Sequence, residues 1–132
     1  MSWVVAQIKW IMLVSGALTC TMVYAAVAPQ AALLSIFGDT LEGPLAEVVV
    51  RNWGVLIALI GGMLIYGAFE PHAWRLVLMV ASLSKLAFIG LVLAQGPRYL
   101  GEQAGVSIAI DLIMVALFVI YLVKARQRGL AA

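Results

Sequence analysis

Apolar residues gather in four long runs separated by short, more polar connections: residues 11–28, about 48–69, 76–94 and 104–123. A helix needs about 20 mostly apolar residues to cross a hydrocarbon layer of about 30 Å, and each run meets that length. The pattern predicts an all-α integral membrane four-helix bundle, a single transmembrane domain over residues 1–132.

The connections differ in kind. Glu70-Pro71-His72-Ala73-Trp74-Arg75 is short, and Pro71 cannot continue a helix that has run to Phe69, so the second and third runs are antiparallel neighbours. The first connection, residues 29–43, carries the apolar stretch 31–37 before Gly38-Asp39. It is too short to span and too apolar for a free loop, which predicts a short helix lying in the membrane interface. Pro44 suits the first position of the second helix, and Gly96-Pro97 marks an ordinary turn in the third connection. The first run has Lys9 before it and a small-residue Ala26-Val27-Ala28 end, as a signal peptide would. Pro29 directly after such a cut, and the single charge before the run, speak for a retained helix instead.

Composition excludes an ordinary soluble domain. Hydrophobic residues make up 65% of the 132 and charged ones 11%, mean hydropathy is +1.12, and soluble domains sit near about 45–50% and 25%. The lipid bilayer is therefore the first partner. A net charge of +2 with no basic stripe gives no footprint for nucleic acid. The sole cysteine, Cys20, permits no intrachain disulfide. Lys9, Arg75, Lys124, Arg126 and Arg128 cluster at the termini and the second connection. The other connections hold Arg51 and Arg98 against Asp39, Glu42, Glu47 and Glu102. The positive-inside rule then expects both termini and the Glu70–Arg75 connection in the cytoplasm. Trp10, Tyr66, Trp74 and Tyr121 would line the inner interface, and Tyr24, Trp53 and Tyr99 the outer one.

In lipid, helices associate through close approach of small residues. Gly54, Ala58 and Gly62 recur every four residues, with Gly61 beside them, and Ser15-Gly16 and Thr19-Cys20 form a matching ridge on the first run. Such faces serve intrachain packing first and could also seat a second copy, as homo-oligomer or within a larger membrane complex.

Chemistry concentrates in Glu47, Arg51, Asn52, Lys85 and Asp111. A lysine at the centre of a spanning helix costs about 2.5–3.5 kcal/mol on insertion scales and requires a partner. Asp111 in the next run is the natural one. At 1.5 Å per residue from the outer ends, Arg51 lies roughly 5 Å deep, Asp111 about 10 Å and Lys85 about 14 Å, a gap a lysine stem closes. Ser107 stands one turn before Asp111, Ser82 lies beside Lys85, and Glu47 and Arg51 share a helix face. Two positive and two negative charges balance, which favours structural interhelix links over a ligand or transport site, although an Arg and a Lys would suit an anionic head group.

An enzyme is not expected. His72 is the only histidine and falls in the connection far from the charged residues, no pair of metal ligands has usual spacing, and Ser82, Ser84 and Ser107 lack a free base. Met12, Met22, Met63, Met79 and Met114 are scattered apolar fillers, so no cofactor is called for.

Size and four-helix topology are similar to the small multidrug resistance transporters, but that family carries its essential glutamate in the first helix, where residues 11–28 hold no charge. Arg51-Asn52-Trp53-Gly54 opening the second helix, Ser84-Lys85 in the third and Asp111 in the fourth resemble the small four-helix membrane proteins grouped near the DoxX-like families. The resemblance implies a bacterial inner membrane and brings no functional residue with it. The expectation is a non-enzymatic membrane component, an accessory subunit of a larger complex, with a small carrier or a lipid- or anion-binding protein as the alternative. A water-filled pocket between the second, third and fourth helices reaching Lys85 would favour the alternative, and a dry, paired core with one flat apolar flank the subunit.

Overall fold

A computed structural model describes residues 2–127. Its elements are α1 (Ser2–Cys20), α2 (Val23–Val27), α3 (Pro29–Phe37), α4 (Pro44–Ala68), α5 (Trp74–Leu93) and α6 (Gln103–Gln127), with single 3-10 turns at Pro71–Ala73 and Gly96–Tyr99. Four stretches are long and apolar enough to cross a membrane: Ala6–Val27, Pro44–Ala68, Pro71–Leu93 and Gln103–Arg126. They coincide with the four apolar runs, and the chain is an all-α, multi-pass helical membrane protein. Arg128 of the basic tail lies outside the described residues.

Local chemistry sets the breaks. All four prolines, Pro29, Pro44, Pro71 and Pro97, stand at the start of a helical segment, where the missing N–H leaves no bond unmade. Ala28, ahead of Pro29, is driven out of the helical region (φ −133°, ψ 73°), and this divides α2 from α3. Gly38 closes α3 in the left-handed conformation at φ 70°, its N–H donating to the Leu34 carbonyl, as a glycine C-cap does.

Two boundaries differ from the hydropathy reading. The first helix begins at Ser2 rather than near residue 11, so Lys9 and Trp10 are helical; the Lys9 ammonium sits 4.7 Å from the Phe69 ring centre. The first span is also interrupted at Thr21–Met22. Thr19 Oγ1 donates to the Ser15 carbonyl at 2.7 Å and Thr21 Oγ1 to the Leu18 carbonyl at 2.5 Å, and such back-bonding bends helices.

The four spans form a ring. α1 packs on α4 and α6, and α5 packs on α4 and α6, whereas the diagonal pairs make at most marginal contact. The half of the ring that holds both termini is solid: Ile8 and Met12 from α1, Leu64 from α4, Leu78 from α5 and Phe118 from α6 are almost fully buried around one core. Trp74 and Tyr121 join it edge to face at 5.6 Å, so these two belong to the packed end rather than to an aromatic belt. The other half has two smaller lateral clusters, one joining Ala25, Ala32, Leu33 and Val50 and the other joining Ile89, Val92 and Ile108.

Contact between α1 and α4 is set by glycine. A Cβ on Gly61 would lie 2.6 Å from the Cys20 nitrogen and 2.8 Å from the Gly16 carbonyl oxygen, and one on Gly54 would lie 2.7 Å from the Ala26 nitrogen on α2. Cys20 adds an Sγ–H donated to the Ala58 carbonyl at 3.6 Å. Gly62, which shares the four-residue spacing, is exposed, with nothing within 4 Å of a Cβ placed there. Gly54, Ala58 and Gly61 therefore make the ridge, not Gly62. Gly61→Ala should destabilise the bundle by about 1–3 kcal/mol, as overpacking of a tight contact does. Gly62→Ala should leave the melting temperature in detergent unchanged or slightly higher; equal losses from the two would contradict this packing.

Candidate functional site

Lys85 on α5 and Asp111 on α6 meet as the sequence predicts, with Nζ donating to Oδ1 at 2.8 Å. Their side chains retain 10% and 20% of their exposure, so the pair is largely shielded without being sealed in the core. Among the described residues Asp111 is the one hydrogen-bonding partner of the ammonium.

The remaining charged candidates are not brought to this pair. Arg51 Nη1 donates to the Ala26 carbonyl at 2.6 Å, satisfying an acceptor that the break after α2 strips of its helical partner. It ties α4 to α2 rather than to Glu47, and Glu47 and Asn52 are exposed on α4. The polar cluster thus reduces to the Lys85–Asp111 pair.

What the sequence did not reveal is the space in front of the pair. In the half of the ring away from the termini, the spans border an open cavity of about 240 Å³. The volume equals about eight waters at liquid density. Lys85, Asp111, Ser84 and Ser107 line one side, and Ser15 and Thr19 on α1 face them across the axis. Trp53, Ile57, Phe88, Ile110 and Met114 supply apolar wall. Small polar side chains therefore stand where the opposite half of the ring has Met12, Leu64, Leu78 and Phe118, and the axis is left unfilled.

Ser15 sharpens the character of the space. Its residue is 1% exposed and its hydroxyl has no hydrogen-bond partner in the protein. An unpartnered buried hydroxyl costs about 1–3 kcal/mol, and this one belongs to the cavity lining.

α3 borders one edge of this space. Ile36 reaches the cavity, and Phe37 packs on Trp53 at 6.1 Å, Phe88 at 6.3 Å and Tyr99 at 5.3 Å between ring centres. With Ala32, Leu33 and Ile36 buried, the short helix expected to lie in the interface is docked on the bundle. Gln30 Nε2 donates to the Leu41 carbonyl and closes the loop that follows. Among the described residues no three His, Cys, Asp or Glu side chains come close enough to hold a metal ion, and His72 is exposed in the turn at the opposite end.

The site combines a membrane-embedded ion pair, hydroxyls with spare bonding capacity and aromatic walls, an arrangement suited to holding a small amphiphile. No family model, curated protein or solved structure matches the chain.

Removing one member of the pair leaves an uncompensated charge in low dielectric, whereas an apolar pair can be nearly neutral. Lys85→Met and Asp111→Leu should each lower stability in detergent, toward the lower end of about 3–5 kcal/mol because the pair borders a cavity. The double variant should recover most of that loss. Additive losses in the double-mutant cycle would show that the two charges do not support each other.

Proposed function

We propose that this protein is a non-enzymatic membrane protein that binds a small amphiphilic ligand in the cavity at Lys85 and Asp111, as a carrier or a binding component. The observation that carries this reading is the 240 Å³ space reaching the ion pair within the spanning helices. A purely structural interhelix link has no need of a cavity beside it, and a charged residue inside a membrane span is a functional-site candidate by default. The accessory-subunit reading lacks a comparable feature. Kinship with the DoxX-like families belongs to the proposal on the strength of Arg51-Asn52-Trp53-Gly54, Ser84-Lys85 and Asp111 alone.

The reading also includes an orientation. The excess of Lys9, Arg75, Lys124 and Arg126 at one end of the ring favours that end in the cytoplasm of a bacterial inner membrane, with the cavity mouth and α3 facing outward. In a Cys20→Ser background, Gln95→Cys should react with a membrane-impermeant thiol reagent in intact cells and His72→Cys should not. The opposite labelling would invert the topology.

Ligand binding is tested by filling the cavity. Ile57→Trp should leave the bundle folded, since it occupies space the native packing does not use. With a panel of single-ring amphiphiles, anionic, cationic and uncharged, at least one should stabilise the wild type by about 1.4 kcal/mol at ten times its dissociation constant. The same compound should leave Ile57→Trp unmoved. Identical shifts for both proteins, or none for either, would refute the binding site.

A further inference from the structure

Charge balance restricts what this cavity can hold, an inference that rests on its being a binding site. Of all the side chains lining it, from α1, α3, α4, α5 and α6, only Lys85 and Asp111 are charged, and they neutralise each other at 2.8 Å. Other ionisable groups on the neighbouring elements stay outside the lining, Glu102 among them, whose carboxylate lies against Gly38 at the end of α3. Arg51 is spent on the Ala26 carbonyl, Glu47 is exposed, Cys20 is bonded to Ala58 across the α1–α4 contact, and Tyr99 packs on Phe37. A carboxylate or ammonium arriving in this space would leave one unbalanced charge in low dielectric, and nothing else in the lining could compensate it.

The pair nevertheless has bonding capacity to spare. The ammonium carries three donors and has one protein partner, while the carboxylate has a second oxygen, Oδ2, for which no protein donor is found among the described residues. Across the axis the Ser15 hydroxyl is unpartnered at 1% exposure, and the Thr19 hydroxyl, whose proton goes to the Ser15 carbonyl, can still accept. We propose that the cavity selects an uncharged head group presenting a hydrogen-bond acceptor and a donor side by side, of the carboxamide type, on a compact ring-sized apolar body. The acceptor takes an N–H of Lys85, the donor reaches Asp111 Oδ2, and the pair stays closed. Trp53, Phe88 and Ile57 then enclose the apolar body.

Three probes of nearly equal shape isolate the head group: hydrocinnamamide, hydrocinnamate and phenylpropylammonium, measured at neutral pH by calorimetric titration of the full chain in phosphatidylcholine nanodiscs. The wild type should bind the amide and bind each charged probe at least about tenfold more weakly. Breaking the balance should redirect selectivity: Asp111→Asn, which leaves the ammonium alone, should come to prefer hydrocinnamate, and Lys85→Met should come to prefer phenylpropylammonium. The wild-type comparison decides the matter even if a variant fails to fold. A charged probe that binds the wild type as tightly as the amide overturns the uncharged-head inference while leaving the cavity as a site. No binding by any of the three, with Ile57→Trp indistinguishable from wild type, removes the cavity as a site and this inference with it.

Discussion

A lysine placed halfway along a bilayer-length helix cannot be left to lipid, and the need to answer Lys85 organises this bundle. The Asp111 carboxylate answers it only if α5 and α6 run side by side with one particular rotation and register. Hydrophobic packing in lipid supplies no such specificity, because lipid chains are as apolar as the side chains they would replace. The second fixed contact is steric: Gly16 and Gly61 bring α1 and α4, and Gly54 brings α2 and α4, so close that a single added methyl would strike backbone. One ionic seam and one glycine seam, on opposite sides, close four helices into a ring.

The ring has an uneven interior. Toward the termini the four helices present large side chains to the axis and fill it. Beyond Ser15 the space is lined by hydroxyls and the ion pair together with apolar side chains that do not fill it, and the first span is interrupted at Thr21–Met22, where Thr19 and Thr21 bond to carbonyls of the preceding turn. The cavity lies where the four helices no longer pack large side chains together on the axis, and α3, anchored by Phe37 among Trp53, Phe88 and Tyr99, borders it. The ion pair lies in one wall of this space, shielded enough to need its partner and open enough to offer its remaining donors and acceptor.

Much of this was legible in the sequence, for definite reasons. Span number follows from run length, and the adjacency of the second and third spans follows from Pro71 in a short connection. The Lys85–Asp111 contact could be foreseen because deep charges have few options. The pairing of Glu47 with Arg51 could not be judged, since a four-residue spacing says nothing about whether a better acceptor lies elsewhere. Here the break before Pro29 frees the Ala26 carbonyl, and Arg51 takes it. Gly61 and Gly62 are adjacent and equivalent as text; helix rotation alone decides that one meets α1 and the other meets nothing. The cavity was beyond reach because it arises from which residues face one another across diagonals that make at most marginal contact.

The bundle is solid in one half and open in the other, with the opening reaching the ion pair. Reactivity along the axis measures this directly. In a Cys20→Ser background, Ser107→Cys in native membranes should react readily with a small thiol reagent, while Leu78→Cys, in the solid half, should stay unmodified under the same treatment. Equal protection of the two positions would mean that the helices close over the whole axis and that Lys85 and Asp111 are a buried structural link.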